Sequence, residues 1–150
     1  MSNRFRLGIV LRLREMAEES ARINLSHAVE AHQRAVAVVQ QAQGRAGAEL
    51  RFLADLQSSP AEAGELQSAV LALGAAQRAI VAAQERLGRA TSSLFEARQA
   101  LAEATKRREV VERLRDRFLA EERRAGDRLD MLAMAEIAST QHAVRAARNR

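Results

Sequence analysis

Apolar residues recur along most of this chain at alternating steps of three and four, the spacing that keeps side chains on one stripe of an α-helix. The pattern is strongest from residue 66 to residue 104. Leu66, Leu73, Ile80, Leu87, Leu94 and Leu101 fall seven apart, and Ala69, Ala76, Ala83, Ala90, Ala97 and Ala104 lie between them. Six unbroken heptads of this kind predict a coiled-coil seam. Alanine at one of two seam positions lets helices approach closely, and the larger residues fill the space beside it.

The one clear interruption lies at Gln57-Ser58-Ser59-Pro60-Ala61-Glu62. Ser59 suits an N-cap, Pro60 the first helical position, and Glu62 stands three residues after the cap, so the segment reads as a capping box. The expected elements are a first helix over about 4–56, a turn at 57–59 and a second helix over about 60–145. At 1.5 Å rise per residue these are roughly 80 and 130 Å long. The fold class is therefore all-α, two long helices in an antiparallel coiled-coil hairpin, because a short turn between long helices returns the chain alongside itself.

The first helix offers a matching stripe at Leu7, Val10, Arg14, Ala17, Ala21, Asn24, Ala28, Ala31, Ala35, Val38 and Ala42. Nine of these eleven are apolar, and Asn24 is expected to fix register, since a buried amide needs a partner. Pairing outward from a turn near residue 58, residue i faces roughly residue 116 − i, so Leu7 should lie beside residues near 111. The Leu/Ala rhythm breaks at Arg108, about where its partner helix runs out. Beyond about residue 115 the second helix should continue as an overhang with an apolar edge: Phe118, Leu119, Leu129, Met131, Leu132, Met134 and Ile137. Glycines at 44, 47, 64, 74, 88 and 126 interrupt the helical stretches. Each costs up to about 1 kcal/mol relative to alanine, which suggests close packing or bending.

Composition narrows the function. The chain has 150 residues, 3% aromatic, with no Trp, no Tyr and one Pro. Much of the 47% hydrophobic content is alanine, so a deep globular core is not expected. With no cysteine, thiolate metal sites and disulfides are excluded. No apolar run is expected to reach the roughly 18–20 residues that cross a bilayer. The arginine-flanked start has no cleavage-like site after it, so a cytoplasmic protein without a signal peptide is expected.

The net charge of +5 is uneven: residues 1–14 carry +4, residues 15–105 are slightly acidic, and residues 106–117 carry +3. Antiparallel folding would bring Arg4, Arg6, Arg12 and Arg14 to one end with Lys106, Arg107, Arg108, Arg113, Arg115 and Arg117, beside Phe118. This makes a candidate docking surface for an acidic protein partner; the alternative is a solvated face paired internally to Glu109, Glu112 and Asp116. Four scattered Phe offer little for base stacking, which argues against nucleic acid.

No constellation for catalysis is legible. His27 and His32 are five apart, not the four that align metal ligands on one helical face, and with His142 read as solvent-exposed. The adjacent carboxylates Glu18-Glu19 and Glu121-Glu122 diverge around a helix and share no acid/base site. Ser92 and Ser93 have no base within reach, and no G-x-x-x-x-G-K-[ST] loop is present, so ATP would belong to a partner. No cofactor or metal is expected, and the protein reads as a non-enzyme. Glu121, Glu122, Asp127, Asp130 and Glu136 weaken direct binding of the overhang to anionic lipid, which leaves indirect attachment through a partner.

Two segments resemble the flagellar FliJ family. One is Phe5-Arg6-Leu7, Val10 to Glu15 and Glu18; the other is Lys106 to Arg117, continuing through Glu121 to Arg124 and Asp127 to Asp130. The resemblance implies a component of the flagellar type III export apparatus, a two-helix coiled coil similar to the stalk subunit of rotary ATPases. Its implied partners are a hexameric export ATPase, a membrane export-gate protein and export chaperones, at the cytoplasmic face of the inner membrane. The injectisome counterpart has the same architecture, and a generic coiled-coil adaptor is the alternative. The alanine-rich seam and the single lysine depart from many members, and gate-binding residues are not carried over.

Overall fold

The computed structural model describes the backbone of residues 3–148, and the side chains of residues 6–148 except that of residue 146. Two helices account for nearly all of it: α1, Asn3–Ser58, and α2, Ala63–Arg148. The fold is an all-α antiparallel hairpin with a C-terminal helical extension, and no strand is present among the described residues.

The turn differs from the sequence-based expectation by three residues. The carbonyl of Glu62 accepts from the N–H groups of Glu65 and Leu66 at 3.1 and 3.2 Å, which makes Glu62 the N-cap of α2. The Glu65 carboxylate reaches back to the N–H of Glu62 at 3.3 Å, the returning half of a capping box. Ser59 instead belongs to the end of α1, whose first unsatisfied carbonyls need partners. Both Ser58 and Ser59 donate their hydroxyls to the carbonyl of Asp55, at 2.9 and 3.1 Å.

By contacts the chain divides into two compact units, residues 17–104 and residues 1–16 with 105–150. In the first, α2 turns Leu66, Leu73, Ile80, Leu87, Leu94 and Leu101 inward together with Ala69, Ala76, Ala83, Ala90 and Ala97. Ala69, Ala76 and Ala83 are 3–4% exposed, while most of the larger residues are only half-buried. A helix lying against a single partner covers its seam from one side only. A methyl group disappears under that contact, whereas a leucine spreads past it.

The α1 column differs from the one expected. Its inward positions in this unit are Glu18, Ala21, Leu25, Ala28, His32, Ala35, Val39, Ala42, Ala46, Glu49, Leu53 and Leu56. One half of the expected stripe, Ala21, Ala28, Ala35 and Ala42, is there. The other half is displaced by one residue: Ala17, Asn24, Ala31 and Val38 are exposed. Asn24 therefore fixes no register, and His32 is half-buried where a solvated histidine was expected.

Register follows from the residues that line common grooves. Val38 and Ala42 share one with Ala79 and Ala83, and Glu49 and Phe52 share another with Ala69 and Ala72. Residue i thus faces roughly residue 122 − i, further along than the 116 − i counted from a turn at 58. The layers in this register read Ala21 with Leu101, Leu25 with Ala97, Ala28 with Leu94, Ala35 with Leu87, Val39 with Ala83, Ala42 with Ile80, and Leu53 with Ala69. Each of these sets a large residue against a small one, which favours even layers, while Ala46 with Ala76, Glu49 with Leu73 and Leu56 with Leu66 depart from the rule.

In the other unit the α1 column continues as Leu7, Leu11 and Arg14, of which Leu11 is buried. On α2 the heptad positions Arg108, Val111, Arg115 and Phe118 are half-buried, so the rhythm continues through Arg108, with arginine in the leucine column. Leu7 and Val111, the pair on which the antiparallel reading turned, belong to this same compact unit. Burial ends at Ala120. From Glu121 to Arg145 every described side chain is exposed, so Phe118 and Leu119 are covered where an open overhang was expected, and the extension starts later.

The glycines do not serve close packing. A methyl group added at Gly44, Gly47, Gly64, Gly88 or Gly126 would meet nothing within 4 Å, and at Gly74 only the end of Arg78 at 3.6 Å. One helix, Ala63–Arg145, contains an 18-residue stretch of mean hydropathy 1.3, long and apolar enough by length and composition to cross a membrane. The expectation that no such run exists is thereby corrected; exposed apolar residues off the seam, among them Val70, Leu71 and Val81, add to the leucine and alanine columns.

Gly44→Ala and Gly88→Ala should each stabilise the hairpin by up to about 1 kcal/mol, visible as a raised melting temperature by circular dichroism. Equal or lower melting temperatures would mean that backbone freedom at these positions is needed. Truncation after Ala120 should leave the melting temperature within a few degrees of the full chain, since only exposed side chains are lost.

Candidate functional site

Nearly all the basic residues singled out in the sequence lie in the unit formed by residues 1–16 and 105–150 as helical positions. The side chain of Arg4 lies outside the described residues. Their side chains do not all point the same way. Arg6, Arg12, Lys106, Arg107, Arg113 and Arg117 are exposed. Arg14, Arg108, Arg115 and Phe118 are turned inward and half-buried.

The inward arginines explain how charge is tolerated at the seam. Arg108 donates to the Glu112 carboxylate at 2.6 Å, one helical turn on, with 25% of its side chain exposed. Arg115 donates to Asp116 at 2.9 Å and lies 4.0 Å from Glu112. Arginine can lay its apolar stem along the seam and carry its guanidinium to the edge, so a heptad position need not be hydrophobic. Arg113 pairs with Glu109 at 3.5 Å. That pair has the carboxylate N-terminal to the cation, the favoured order on a helix, and is worth only a few tenths of a kcal/mol.

Subtracting the paired and inward residues leaves Arg6, Arg12, Arg107 and Arg117 exposed and without an ion pair among the described residues. Of the seam-side arginines Arg108 and Arg115 are paired, as is the outward Arg113, whereas Arg6, Arg12, Arg107 and Arg117 leave their charge exposed.

Next to this basic region lies the extension of α2. Leu129, Met131, Leu132, Met134, Ile137 and Val144 are 55–75% exposed. Five acidic and five basic residues, from Glu121 to Arg148, accompany them and cancel in charge. A shallow groove runs along this single helix, lined by Ala133, Glu136, Ile137, Thr140 and Gln141.

Sequence reading missed Glu18. It is 5% exposed and the sole buried charged residue among those described; Arg22 donates to it at 3.1 Å. A carboxylate at a seam position costs solvation unless it is paired. The signal that could have found it is the larger apolar residues on its column, Leu11 and Leu25, against Val10 and Asn24 on the neighbouring one.

Among the described residues no group of three or more His, Asp or Glu could hold a metal ion. Ser92 donates its hydroxyl to the carbonyl of Gly88 at 3.2 Å. Glu18 faces in while Glu19 faces out, so this carboxylate pair diverges.

The class defined by these observations is a two-helix coiled coil with an uncovered helical extension. A family model described as the flagellar FliJ protein matches residues 2–147, nearly the whole chain. The chain belongs to the FliJ family, a family of non-catalytic flagellar export components. No curated protein matches it.

Proposed function

We propose that this protein is a stalk or escort of the flagellar export apparatus, linking a hexameric export ATPase to the membrane export gate and to export chaperones. The observation that carries the reading is the near-complete FliJ match on a hairpin whose α2 outruns α1 and bears uncovered apolar side chains. A long helix with exposed Leu129, Leu132 and Ile137 suits a partner helix or groove. The exposed Arg6, Arg12, Arg107 and Arg117 suit an acidic surface and would steer its approach.

In this reading the protein performs no chemistry of its own. It has no phosphate-binding loop, so ATP hydrolysis belongs to the ring, and the role of the chain is mechanical and organisational. It works in the cytoplasm, against the inner membrane when docked, and meets the membrane through the gate protein. No cofactor enters.

Co-purification with the flagellar export ATPase, together with a change in ring assembly or hydrolysis rate on adding this protein, is the expected result. Neither binding nor a rate effect would remove the proposal. Arg6→Glu, Arg12→Glu and Arg107→Glu together should leave helicity unchanged and weaken association on the order of tenfold at low salt, mostly through the on-rate. Unaltered affinity would show that the basic end is only a solvated face.

A further inference from the structure

The α1 helix within residues 17–104 carries a second apolar column beside the one that packs. Ala17, Asn24, Ala31, Val38, Arg45 and Phe52 each stand one residue before Glu18, Leu25, His32, Val39, Ala46 and Leu53. The two columns share Ala21, Ala28, Ala35, Ala42, Glu49 and Leu56. All six members of the second column are exposed, among them Val38 at 40% and Phe52 at 54%.

Exchanging one column for the other rotates α1 by roughly half of the 100° residue step, about 50°. It also requires a slip of half a heptad along α2. The shared column then meets the alanines of α2 in place of its leucines, and residue i faces roughly residue 118 − i. The α2 seam accepts this because its leucine and alanine positions repeat without a break through six heptads.

The turn holds a matching pair of signals. The observed cap uses Glu62 and Glu65. Ser59-Pro60-Ala61-Glu62, a capping box with proline at the first helical position, is left unused three residues earlier. Starting α2 at Pro60 moves the centre of the turn back toward residue 59, which is what the slipped register needs. Column and cap thus change in the same sense.

We propose that the hairpin is bistable, with the observed register as its major state and the slipped register as a minor one. The ranking follows from packing and charge. The observed register sets large against small in most layers, Ala46 with Ala76, Glu49 with Leu73 and Leu56 with Leu66 excepted, but buries Glu18 and half-buries His32. The slipped register frees both. In return it takes in Asn24 and Arg45 and alternates thin Ala–Ala layers with thick ones such as Val38 with Ile80. These costs oppose one another, which puts the minor state on the order of 1%. A slip of half a heptad displaces one helix against the other by about 5 Å, a longitudinal step set by seam chemistry. The inference rests on hairpin geometry alone and stands whether or not the protein serves in export.

The absence of cysteine from the chain permits a direct test by disulfide trapping in the full-length protein. With Ala83→Cys fixed, Val39→Cys reports the observed register, Ala35→Cys the slipped one, and Ala42→Cys lies on the far side. Asn24→Leu with Arg45→Leu, both at exposed positions, should favour the slip. They are expected to speed closure of the 35–83 pair roughly tenfold while slowing the 39–83 and 42–83 pairs, with Glu49→Cys/Ala69→Cys following the 35–83 pair near the turn. General loosening would instead speed the 35–83 and 42–83 pairs alike, and that result would overturn the proposal. So would 35–83 and 49–69 rates unchanged by the leucine substitutions.

Discussion

Among the described residues apolar surface is buried along the seam between two helices, whose geometry is set largely by pairing large side chains with alanine. With one partner per helix, no side chain among those described is wholly enclosed. Each layer contributes little, and order comes from repeating the layer many times. Even layer thickness is therefore the controlling constraint. Ala28 against Leu94 and Leu25 against Ala97 hold the same spacing by opposite assignments of large and small.

What the seam leaves over determines what the protein can do. A two-helix fold has no third element to close a cleft, so carboxylates such as Glu18 and Glu19 diverge and hydroxyls such as that of Ser92 return to their own backbone. What remains uncovered is the outward faces and the stretch of α2 from Glu121 onward. Membership of the FliJ family agrees with that economy. The family's place in flagellar export calls for surfaces that join other components, and this fold consists of little else.

Charge is arranged with the same logic. Arg108 and Arg115 occupy heptad positions where leucine stands earlier in α2, and their ion pairs to Glu112 and Asp116 keep them within the helix's own surface. Arg6, Arg12, Arg107 and Arg117 point outward without such partners. Two arginines close in sequence can thus differ entirely in what they offer a partner, because a 100° step separates neighbours around the helix.

The leucine and alanine columns of α2 were legible in the sequence because a six-heptad repeat leaves only one stripe to bury. On α1 the sequence named one column and missed the other by a residue. Val10 and Leu11, or Val38 and Val39, are equally apolar neighbours, and avoiding charge favoured Ala17 over Glu18. The cap was misplaced for a related reason, since Ser59-Pro60 and Glu62-Glu65 are both competent starts. By itself the sequence determined two helices, their order and their antiparallel return, all of which follow from local periodicity and residue type. Tertiary structure decided which α1 stripe is buried, which cap is used and which arginines face out, because those choices depend on the thickness of layers shared by two helices, a quantity neither helix carries alone.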